Sequence, residues 1–509
     1  MIEMTSGDIA AVTGGELVDG STDDTLVTGP VEFDSRRITP GSLFMALPGA
    51  RVDGHDFIAG ALEDGAALVL AGRPVGLPVL LCPPVADTEE AGDAGTAQRN
   101  AAYLENDPDG VAERVLTAVG RLARFNTDTL VADEGMTVVG VTGSAGKTST
   151  KDLLGAVLSR GGETVAPPGS FNNEIGHPYI ALKADRNTRY LVAEMSARGQ
   201  GHIAHLARIA PPSVGVVLNV GTAHLGEFGS REAIATAKGE LVEALPDAAQ
   251  GGLAVLNADD DAVSAMASRT TARILRFSAQ GSVGSTGNTA DYYATGTSLD
   301  EVARASFTMH HPHGEPVEVH LGVFGAHQVS NALAAAAVGM ECGLDAATVA
   351  AALSEHVAAS ENRMDVRTRA DGLTIINDSY NANPDSMRAG IDALAYTAAG
   401  RQDAESWAVL GQMGELGDDG RGEHIALGEV LGQRHIDHVV VVGHGINQSA
   451  LVTSAEEQGL DVLHVDNTDG AVNVLDLNVS ADDVVLVKAS YADGLWRVAS
   501  GLLAGDEKN

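Results

Sequence analysis

The stretch Thr137-Val-Val-Gly-Val-Thr-Gly-Ser-Ala-Gly-Lys-Thr-Ser-Thr150 decides how the chain around it folds. Residues 137–141 are mostly apolar and β-branched, which predicts a short buried strand, and residues 142–146 are small, which predicts a tight loop. A helix is predicted over residues 147–158, with its apolar side chains on one face and two glycines after its end. A strand, a small-residue loop and a helix in this order point backbone N–H groups and the positive helix end at a phosphate chain. The stretch therefore predicts a site for a nucleoside triphosphate.

The predicted phosphate loop departs from the strict P-loop spacing at one position. Val141 stands where that spacing requires glycine, and Gly143 follows two residues later. In this variant loop we expect Lys147 to reach the outer phosphates and the hydroxyl group of Thr148 to bind Mg²⁺. An ordinary strand-to-helix turn is the alternative for an isolated Gly-Lys-Thr, but the flanking strand and helix argue against it. The nucleotide-binding residues predicted from the loop are Thr142, Gly143, Ser144, Ala145, Gly146, Lys147, Thr148 and Ser149.

The length and composition of the chain are typical of a large intracellular protein of several domains. Its 509 residues suggest roughly three domains of about 150 residues each. Cys82 and Cys342 lie far apart in sequence, so we expect no disulfide framework, and a reducing cytoplasm fits. No apolar run approaches the roughly 18 residues of a membrane span, and the N-terminus lacks the basic segment of a secretory signal. We therefore expect a cytoplasmic protein without membrane insertion.

The net charge of −37 restricts the possible partners. Such a charge argues against binding of nucleic acids over the general surface. Any anionic substrate must therefore be held by a few concentrated cations. We interpret the acidity itself as a contribution to solubility.

The N-terminal part of the chain is predicted to form a small α/β unit followed by an insertion. Its predicted helices are residues 6–12 and 57–64, and its predicted strands are residues 43–47 and 67–70. Residues 83–110 are rich in Ala, Asp, Glu, Gly and Pro without an apolar period, which indicates a mobile acidic insertion. A helix over residues 111–125 is predicted to lead into the next domain.

Strands and helices alternate from residue 137 onward, which is typical of a mostly parallel, doubly wound sheet. Strands are predicted at residues 190–195, 214–220, 252–257 and 273–278, and helices between them include residues 203–209 and 231–245. Glu194 and the segment 219–224 follow two of these strands, at the edge where such sheets bind ligands. Residues 281–322 alternate in polarity and predict an antiparallel hairpin region, and an Ala-rich helix is predicted to begin within residues 325–337.

A third series of strands and helices begins near Arg363 and predicts a Rossmann-like layer. Its strands are predicted at residues 373–377, 407–410, 439–442, 462–465 and 484–488. We therefore expect an α/β fold of three domains. They are an N-terminal small α/β domain over residues 1–133, a central P-loop parallel-sheet domain over residues 134–361 and a C-terminal Rossmann-like domain over residues 362–509.

Several motifs together are more specific than any one of them. They are Thr-Gly-Ser-Ala-Gly-Lys-Thr-Ser-Thr at 142–150, Glu194 at its strand end, Asn-Val-Gly-Thr-Ala-His-Leu-Gly-Glu-Phe-Gly-Ser at 219–230, Ala-Lys-Gly-Glu at 237–240 and Gly-Ala-His-Gln-Val-Ser-Asn-Ala-Leu-Ala-Ala-Ala-Ala at 325–337. The set resembles the ATP-dependent Mur ligases of peptidoglycan synthesis over nearly the whole chain, with residues 83–110 as the main unmatched insertion. The resemblance implies that ATP and Mg²⁺ are the cofactors. It also implies that an amine is joined to a carboxylate through an acyl phosphate, with the N-terminal domain binding a UDP-linked substrate.

The resemblance also implies a metal site and a modified lysine. Thr148 and Glu194 would hold the Mg²⁺ that bridges the β- and γ-phosphates, and His224 would help to hold a second ion. Lys238 matches a lysine that is carbamylated in the family and so becomes an oxygen ligand, which requires a neutral amine. The catalytic residues implied are Lys147, Lys238 and His224.

Each of these residues also has a plain structural interpretation. Glu194 can be a surface carboxylate at a strand end, and His224 a capping or core histidine. Lys238 can be a solvated helical lysine paired with Glu240 or Glu243.

Residues from two domains are implied to complete the ATP site. Asn331 matches the adenine contact of the family, and Arg363 and Asp378 match residues that the C-terminal domain supplies. If so, catalysis requires closure of the domains, because neither half holds all the parts. A salt bridge at the domain interface is the alternative for Arg363.

The stretch Asp378-Ser-Tyr-Asn-Ala-Asn-Pro-Asp-Ser-Met387 is similar to the family member that adds D-alanyl-D-alanine to UDP-N-acetylmuramoyl-tripeptide. The related diaminopimelate- or lysine-adding ligases carry Asp-Asn-Pro-Arg at this place, and the missing arginine argues against a single charged amino acid as the added group. The substrate-binding residues implied by the resemblance are Ser35, Arg36, His55, Asp56, Asn172, Asn173, Asn381, Asn383 and Lys488.

Three positions depart from the pattern of the family. Ala489 and Tyr491 replace the usual glycine and arginine after Lys488, so that a cation expected near the incoming substrate is missing, and Ser196 replaces a glycine after Glu194-Met. Other functions therefore stay open at this point. They are a related Mur ligase that adds a single amino acid, a folylpolyglutamate synthetase-like ligase, a P-loop ATPase or GTPase that ligates nothing, and an inactive scaffold. We expect small-molecule substrates and a monomer.

Overall fold

The structure is a computed structural model that describes residues 1–49, 52–85, 107, 109–167, 169–221, 225–414, 416 and 419–504. Its strands are β1 Met4–Thr5, β2 Glu16–Val18, β3 Leu26–Val27, β4 Val31–Glu32, β5 Leu43–Met45, β6 Leu68–Ala71, β7 Val79–Leu81, β8 Thr137–Thr142, β9 Glu163–Val165, β10 Thr188–Glu194, β11 Val214–Val217, β12 Leu253–Asn257, β13 Arg273–Ser278, β14 Tyr292–Leu299, β15 Arg304–His310, β16 Val317–Phe324, β17 Asp365–Thr368, β18 Thr374–Asn377, β19 Ser406–Leu410, β20 His438–Val442, β21 Asp461–Val465 and β22 Val484–Lys488.

The helices alternate with these strands, as the sequence predicts for an α/β protein. They are α1 Ser6–Thr13, α2 Ile58–Glu63, α3 Val111–Glu134, α4 Lys147–Leu158, α5 Gly176–Ala181, α6 His202–Ile209, α7 Leu225–Phe228, α8 Arg231–Glu243, α9 Asp261–Ala265, α10 Gln328–Glu341, α11 Ala346–Glu355, α12 Pro384–Ala399, α13 Gly420–Gln433, α14 Ile446–Glu457, α15 Thr468–Asn478 and α16 Trp496–Ala504. In the part of the chain that the structure describes, none of these helices is long and apolar enough to cross a bilayer.

The N-terminal unit is built on a five-stranded sheet in the order β2-β7-β6-β5-β4, with β1 and β3 paired beside it. Asp34 and Asp53 each cap a short 3₁₀ helix in the loops that follow β4 and β5. Most of the predicted insertion, residues 86–106 and residue 108, lies outside the described residues. Asp107 does not belong to a mobile loop, because its carboxylate accepts hydrogen bonds from the N–H groups of Val111, Ala112 and Glu113 and so caps α3.

The central sheet has nine strands in the order β16-β15-β14-β13-β12-β11-β8-β10-β9. The strands from β9 to β14 pair in parallel, which confirms the doubly wound sheet, and β15 and β16 extend it as the predicted antiparallel hairpins. Strand β8, which carries the phosphate loop at its end, lies between β10 and β11. The carboxyl ends of these three strands therefore meet, and their loops can form one site.

Two predicted element boundaries are wrong for identifiable reasons. The strand predicted to run to residue 220 ends at Val217, because Asn219 leaves the ladder and hydrogen-bonds the phosphate loop instead. The helix predicted to end at residue 125 continues to Glu134, because its apolar positions continue to Leu130 and Gly135 then ends it in a left-handed conformation.

The C-terminal sheet has six strands in the order β17-β18-β22-β19-β20-β21. All neighbours pair in parallel except β17, an antiparallel edge strand that the sequence did not indicate. This arrangement confirms the Rossmann-like layer.

The hydrophobic cores divide the molecule unevenly. One core is shared by the N-terminal unit and the central sheet, since it joins Ile9 and Leu70 to Val138 and Leu191 through the buried face of α3. The buried residues of the two cores around the C-terminal sheet all come from residues 364–502. The predicted domain limits at 133 and 361 stay a prediction, and the first of them falls within the last turn of α3.

Candidate active site

A cavity of about 790 Å³ lies where the central and C-terminal domains meet. Its walls contain the phosphate loop, the ends of β10, β11 and β22, the start of α10 and the loop that follows β18. The predicted site residues that line it are Ser144, Ala145, Gly146, Lys147, Thr148, Ser149, Asn172, Asn173, Glu194, Asn331, Arg363, Asp378, Asn381, Asn383 and Lys488. The structure therefore brings the predicted ATP residues of both domains together around one space.

The phosphate loop has the backbone that its small residues predict. Gly146 has a φ of +81° and precedes the first residue of α4, so the N-terminal N–H groups of the helix face the cavity. A Cβ atom on Gly146 would lie 2.6 Å from Oδ1 of Asn331, and one on Gly143 would lie 2.9 Å from Cβ of Leu218. Both glycines are required by these close approaches. The ammonium group of Lys147 donates to the carbonyl oxygen of Gly143 at 2.7 Å, so it lies over the loop.

Two oxygen-bearing side chains meet at the start of α4. The hydroxyl group of Thr148 donates to Oε2 of Glu194 at 2.9 Å, and both residues are buried. Oε1 of the same carboxylate accepts hydrogen bonds from Oγ of Ser170 at 2.9 Å and from Nδ2 of Asn172 at 2.8 Å. Oxygen ligands held in fixed positions are what Mg²⁺ prefers, so Thr148 and Glu194 fit the predicted ion. The burial of Glu194 contradicts its interpretation as a surface carboxylate.

Asn172 lines the cavity and also donates to Glu194, a contact that the sequence did not predict. Ser170 was missed altogether, although it opens the Ser-Phe-Asn-Asn stretch. A serine 24 positions from its carboxylate partner gives no local signal of the contact.

Lys238 lies on the buried face of α8 with 3% of its surface exposed. Burial lowers the pKa of its amine well below the ordinary value, and the charge of nearby Lys147 lowers the pKa further. Glu240 accepts backbone hydrogen bonds from Gly201 and Ala204 instead of pairing with this lysine. The interpretation of Lys238 as a solvated helical lysine is therefore contradicted. The lowered pKa favours the neutral amine, which carbamylation requires. Its role as a metal ligand stays a prediction.

His224 lies outside the described residues, and its role as a metal ligand stays a prediction. The residues just before it are tied to the phosphate loop. Asn219 exchanges two hydrogen bonds with the backbone of Ala145, and the N–H of Gly221 donates to Oγ of Ser144 at 2.9 Å. The end of β11 and the phosphate loop therefore form one rigid wall.

Asn331 lies in the first turns of α10, against the phosphate loop. Its Nδ2 donates to Oε1 of Gln328 at 2.9 Å. The neighbouring His327, which the sequence did not assign, also lines the cavity, and burial lowers the pKa of its ring. The predicted contact of Asn331 with adenine stays a prediction.

The C-terminal domain contributes an ion pair to the cavity. Lys488 is buried at the end of β22 and donates to the carboxylate of Asp378 and to the carbonyl oxygen of Asn381. Arg363 lies over the ring of Tyr380, with 4.1 Å from its guanidinium carbon to the ring centroid. No salt bridge of Arg363 is found among the described residues, so the alternative of an interface salt bridge has no support there.

The two asparagines of the Asn-Ala-Asn-Pro stretch line the cavity. Oδ1 of Asn383 caps α12 by accepting from the N–H of Ser386 at 2.9 Å, and Oδ1 of Asn381 accepts from the N–H of Ala382 at 2.9 Å. Their oxygens are thus engaged, and their Nδ2 groups can donate to a carboxylate. The start of α12 adds a positive helix end at the same place.

The predicted UDP-binding residues of the N-terminal unit do not line this cavity. Arg36 is exposed and paired with Asp34 in the 3₁₀ helix that also contains Ser35. His55 is buried, and its two ring nitrogens contact Oδ1 of Asp53 at 2.7 Å and the N–H of Gly72 at 3.1 Å. His55 thus holds its loop in place, and Asp56 beside it is exposed. The UDP contacts of all four residues, Ser35, Arg36, His55 and Asp56, stay predictions.

A charged group on the cavity wall was also missed. Arg198 and Glu174 line the cavity with His202, whose Nδ1 lies 3.4 Å from Oε1 of Glu174. Burial lowers the pKa of His202, and the Glu174 charge opposes that shift. Ordinary loop composition around these residues gave no signal of their convergence.

Three sequence profiles match successive parts of the chain. They are the Mur ligase family, catalytic domain at residues 30–108, the Mur ligase middle domain at residues 141–339 and the Mur ligase, glutamate ligase domain at residues 362–491. The chain is 51% identical to the UDP-N-acetylmuramoyl-tripeptide–D-alanyl-D-alanine ligase of Mycobacterium tuberculosis strain H37Rv, with 99% of both chains covered. It is 32% identical to the ligase of the same name from Escherichia coli strain K12, with 99% of both covered.

Solved structures give the same match at the level of the fold. The crystal structure of MurF from Acinetobacter baumannii is similar with a TM-score of 0.80 and 28% identity, and 99% of both chains is covered. The MurF ligase from Thermotoga maritima in complex with ADP is similar with a TM-score of 0.71 and 29% identity, over 95% of this chain and 99% of that chain.

Proposed function

The chain belongs to the Mur ligase family, and from that membership we propose that it joins D-alanyl-D-alanine to UDP-N-acetylmuramoyl-tripeptide with hydrolysis of ATP. It is a ligase of peptidoglycan precursor synthesis. The observation that carries the proposal is the meeting of a phosphate loop and two amide donors around one cavity. The phosphate loop fits the phosphates of ATP, and the two asparagine amides fit the far carboxylate of a dipeptide.

The reaction brings anions together, which explains the cations of the site. A carboxylate oxygen of the tripeptide attacks the γ-phosphorus of ATP, the bond to the β-phosphate oxygen breaks, and ADP leaves. Lys147 stabilises the charge on the transferring phosphoryl group. Bound Mg²⁺, held by Thr148 and Glu194, would neutralise charge on the same phosphates.

The amine of the dipeptide then attacks the acyl phosphate. The tetrahedral intermediate expels phosphate, the nitrogen of the neutral amine releases one proton to solvent and keeps the other, and an amide remains. We assign Asn381 and Asn383 to the carboxylate of the dipeptide, so that its amine points at the acyl carbon. Arg363 and Asp378 act on the nucleotide from the C-terminal side, and Lys488 holds Asp378 in position.

The test is an assay of phosphate release with several amines and two acceptors. We expect D-alanyl-D-alanine to be used with UDP-N-acetylmuramoyl-tripeptide far better than diaminopimelate, lysine or glutamate, with a product mass equal to the sum of the two substrates less water. Preference for a single amino acid with UDP-N-acetylmuramoyl-dipeptide would contradict the proposed substrates and leave the family. Release of phosphate without any amine would identify an ATPase.

Two further properties are part of the proposal. The substrates are a nucleotide-linked sugar peptide and ATP, which supports a cytoplasmic location. The site is assembled from residues of one chain, which supports a monomer. Sedimentation of the purified protein with and without substrates would test the second point.

A further inference from the structure

The linker that carries Arg363 has an unusual backbone. Asn362 and Met364, the residues on either side of it, both adopt left-handed conformations, with φ values of +59° and +48°. Asparagine tolerates this region, but methionine rarely adopts it. Such residues persist only where the surrounding structure holds them, and they concentrate at functional sites.

Contacts with the end of β18 hold the linker on its C-terminal side. The carbonyl oxygen of Asn362 accepts from the N–H of Tyr380 at 3.0 Å, and its Oδ1 accepts from Nδ2 of Asn377 at 2.9 Å. The N–H of Met364 donates to Oδ1 of Asp378 at 3.2 Å. The backbone on both sides of Arg363 is therefore fixed to the loop that contains Asp378.

A buried serine holds the same linker to the central domain. The hydroxyl group of Ser360 donates to Oδ2 of Asp152 on α4 at 2.7 Å and accepts from the N–H of Gly169 at 3.1 Å. Asp152 is also paired with Lys151 at 2.7 Å. The backbone on both sides of Arg363 is therefore held by both domains. The direction of the long Arg363 side chain then depends on the groups that it contacts.

The Arg363 side chain contacts an aromatic ring. The guanidinium of Arg363 lies over one ring, that of Tyr380, whose centroid is 5.5 Å from the ring centroid of Tyr491. Nε of Arg363 is buried and has no hydrogen-bond partner among the described residues. A guanidinium stacked by its face keeps its N–H donors free at the edge, where they can bind phosphate oxygens.

We propose that Tyr380 is a positioning residue that holds the guanidinium of Arg363 toward the terminal phosphates of the nucleotide, and that Tyr491 supports the Tyr380 ring. The inference rests on the proposed function. It also gives a role to Tyr491, an exposed tyrosine whose ring packs against that of Tyr380.

The test compares Tyr380→Leu, which removes the ring, with Tyr380→Phe, which keeps it. We expect Tyr380→Leu to raise the KM for ATP roughly tenfold, with the KM for D-alanyl-D-alanine unchanged, because the lost stacking acts through Arg363. Tyr380→Phe should keep the KM for ATP within about twofold of that of the unsubstituted protein, because the ring is retained. In an Arg363→Ala background, Tyr380→Leu raises the KM for ATP no further, because its effect passes through the arginine.

The matched control is Tyr396→Leu, a half-exposed tyrosine of the same domain whose hydroxyl group donates to the carbonyl oxygen of Leu299 outside the cavity. It should leave both KM values unchanged. Additive effects of Tyr380→Leu and Arg363→Ala would overturn the inference, and so would a rise confined to the KM of the dipeptide. If Tyr380→Leu does not fold, Tyr491→Leu at the exposed end decides. A rise in the KM for ATP supports the inference, and an unchanged value overturns it. In all these outcomes the product of ligation is still measured, so the proposed function is tested separately.

Discussion

Lys147 is the single side chain on which the chemistry depends most directly. We expect Lys147→Ala to lower kcat by about 10²-fold or more, because it removes positive charge where the phosphoryl group is transferred. The fold should be kept, since the side chain lies over its own loop rather than in a core. Phosphate release and circular dichroism measure the two effects.

Lys183→Ala is the control, because that lysine lies over the ring of Tyr179 and does not line the cavity. Near-normal ligation by Lys147→Ala would contradict the assignment of residues 142–149 to the nucleotide.

Lys238 offers a test of stability as well as activity. Its burial lowers the pKa of the amine, so the folded state opposes protonation that the unfolded chain accepts. The unfolded chain therefore binds more protons between the two pKa values, and stability falls as the pH falls through that window. Lys238→Met should raise the melting temperature of the substrate-free protein at neutral pH while abolishing ligation.

Lys151→Met is the matched control, because Lys151 is equally buried but paired with Asp152. Its loss should destabilise the protein by about 3–5 kcal/mol, since an unpaired buried carboxylate remains. We also expect short carboxylates to restore part of the activity of Lys238→Ala, because they can occupy the place of a carbamate. Full activity of Lys238→Ala without any additive would exclude a catalytic role.

Single residues differ in how far the sequence predicts them. The phosphate loop and Glu194 follow from local spacing, and the structure places them together. Ser170 and Arg198 were not predicted, because their contacts depend on how distant loops converge. His55 was predicted to bind UDP, yet both of its ring nitrogens are engaged within its own domain.

At the first turn of α12, the structural role of Asn383 and its proposed role in binding can be tested separately. Asn383 caps this helix with its oxygen, and we propose that its Nδ2 group donates to the carboxylate of the dipeptide. Asn383→Asp should preserve the cap, and hence stability, but raise the KM for D-alanyl-D-alanine, because a second carboxylate then faces that of the substrate. Asn383→Ala should raise the same KM and also cost about 1 kcal/mol of stability. A normal dipeptide KM in Asn383→Asp would remove Asn383 from the substrate site.

Asp107 caps α3, so the predicted insertion ends before this residue. We expect deletion of residues 86–106, replaced by a short Gly/Ser bridge, to leave ATP-dependent ligation intact, because the segment lacks the apolar content for a core of its own. Extending the deletion through Asp107 should lower the melting temperature, since three N–H groups lose their cap. A large loss of stability in the shorter deletion would show that the segment packs on the domain.

Helices and strands were predicted well where a local sequence pattern indicates them. They were predicted less well where a segment becomes a strand only by pairing with another strand. Periodicity locates the phosphate-loop helix and the strands of the parallel sheets. The edge strand β17 was missed, because Asp365–Thr368 is short and polar and becomes a strand only by pairing with β18. Strand β11 ends early because Asn219 bonds the phosphate loop.

At the scale of the whole molecule, the site belongs to an interface and not to one domain. Residues predicted from two separate parts of the sequence surround one cavity, which agrees with the expectation that neither half is sufficient. The order of the domains was predictable from alternation and motifs. Their mutual placement was not, because contacts such as Tyr396 with Leu299 join residues 97 positions apart.

The uneven division of the hydrophobic cores has a consequence for heat denaturation. Since one core spans the N-terminal unit and the central sheet, these two should melt as a single cooperative block, and the C-terminal sheet should melt as another. Differential scanning calorimetry should therefore resolve two endotherms from a chain with three sheets of five or more strands. A non-hydrolysable ATP analogue that bridges the two blocks should raise the lower transition toward the upper one. Three separate endotherms would show that the shared core does not couple the first two domains.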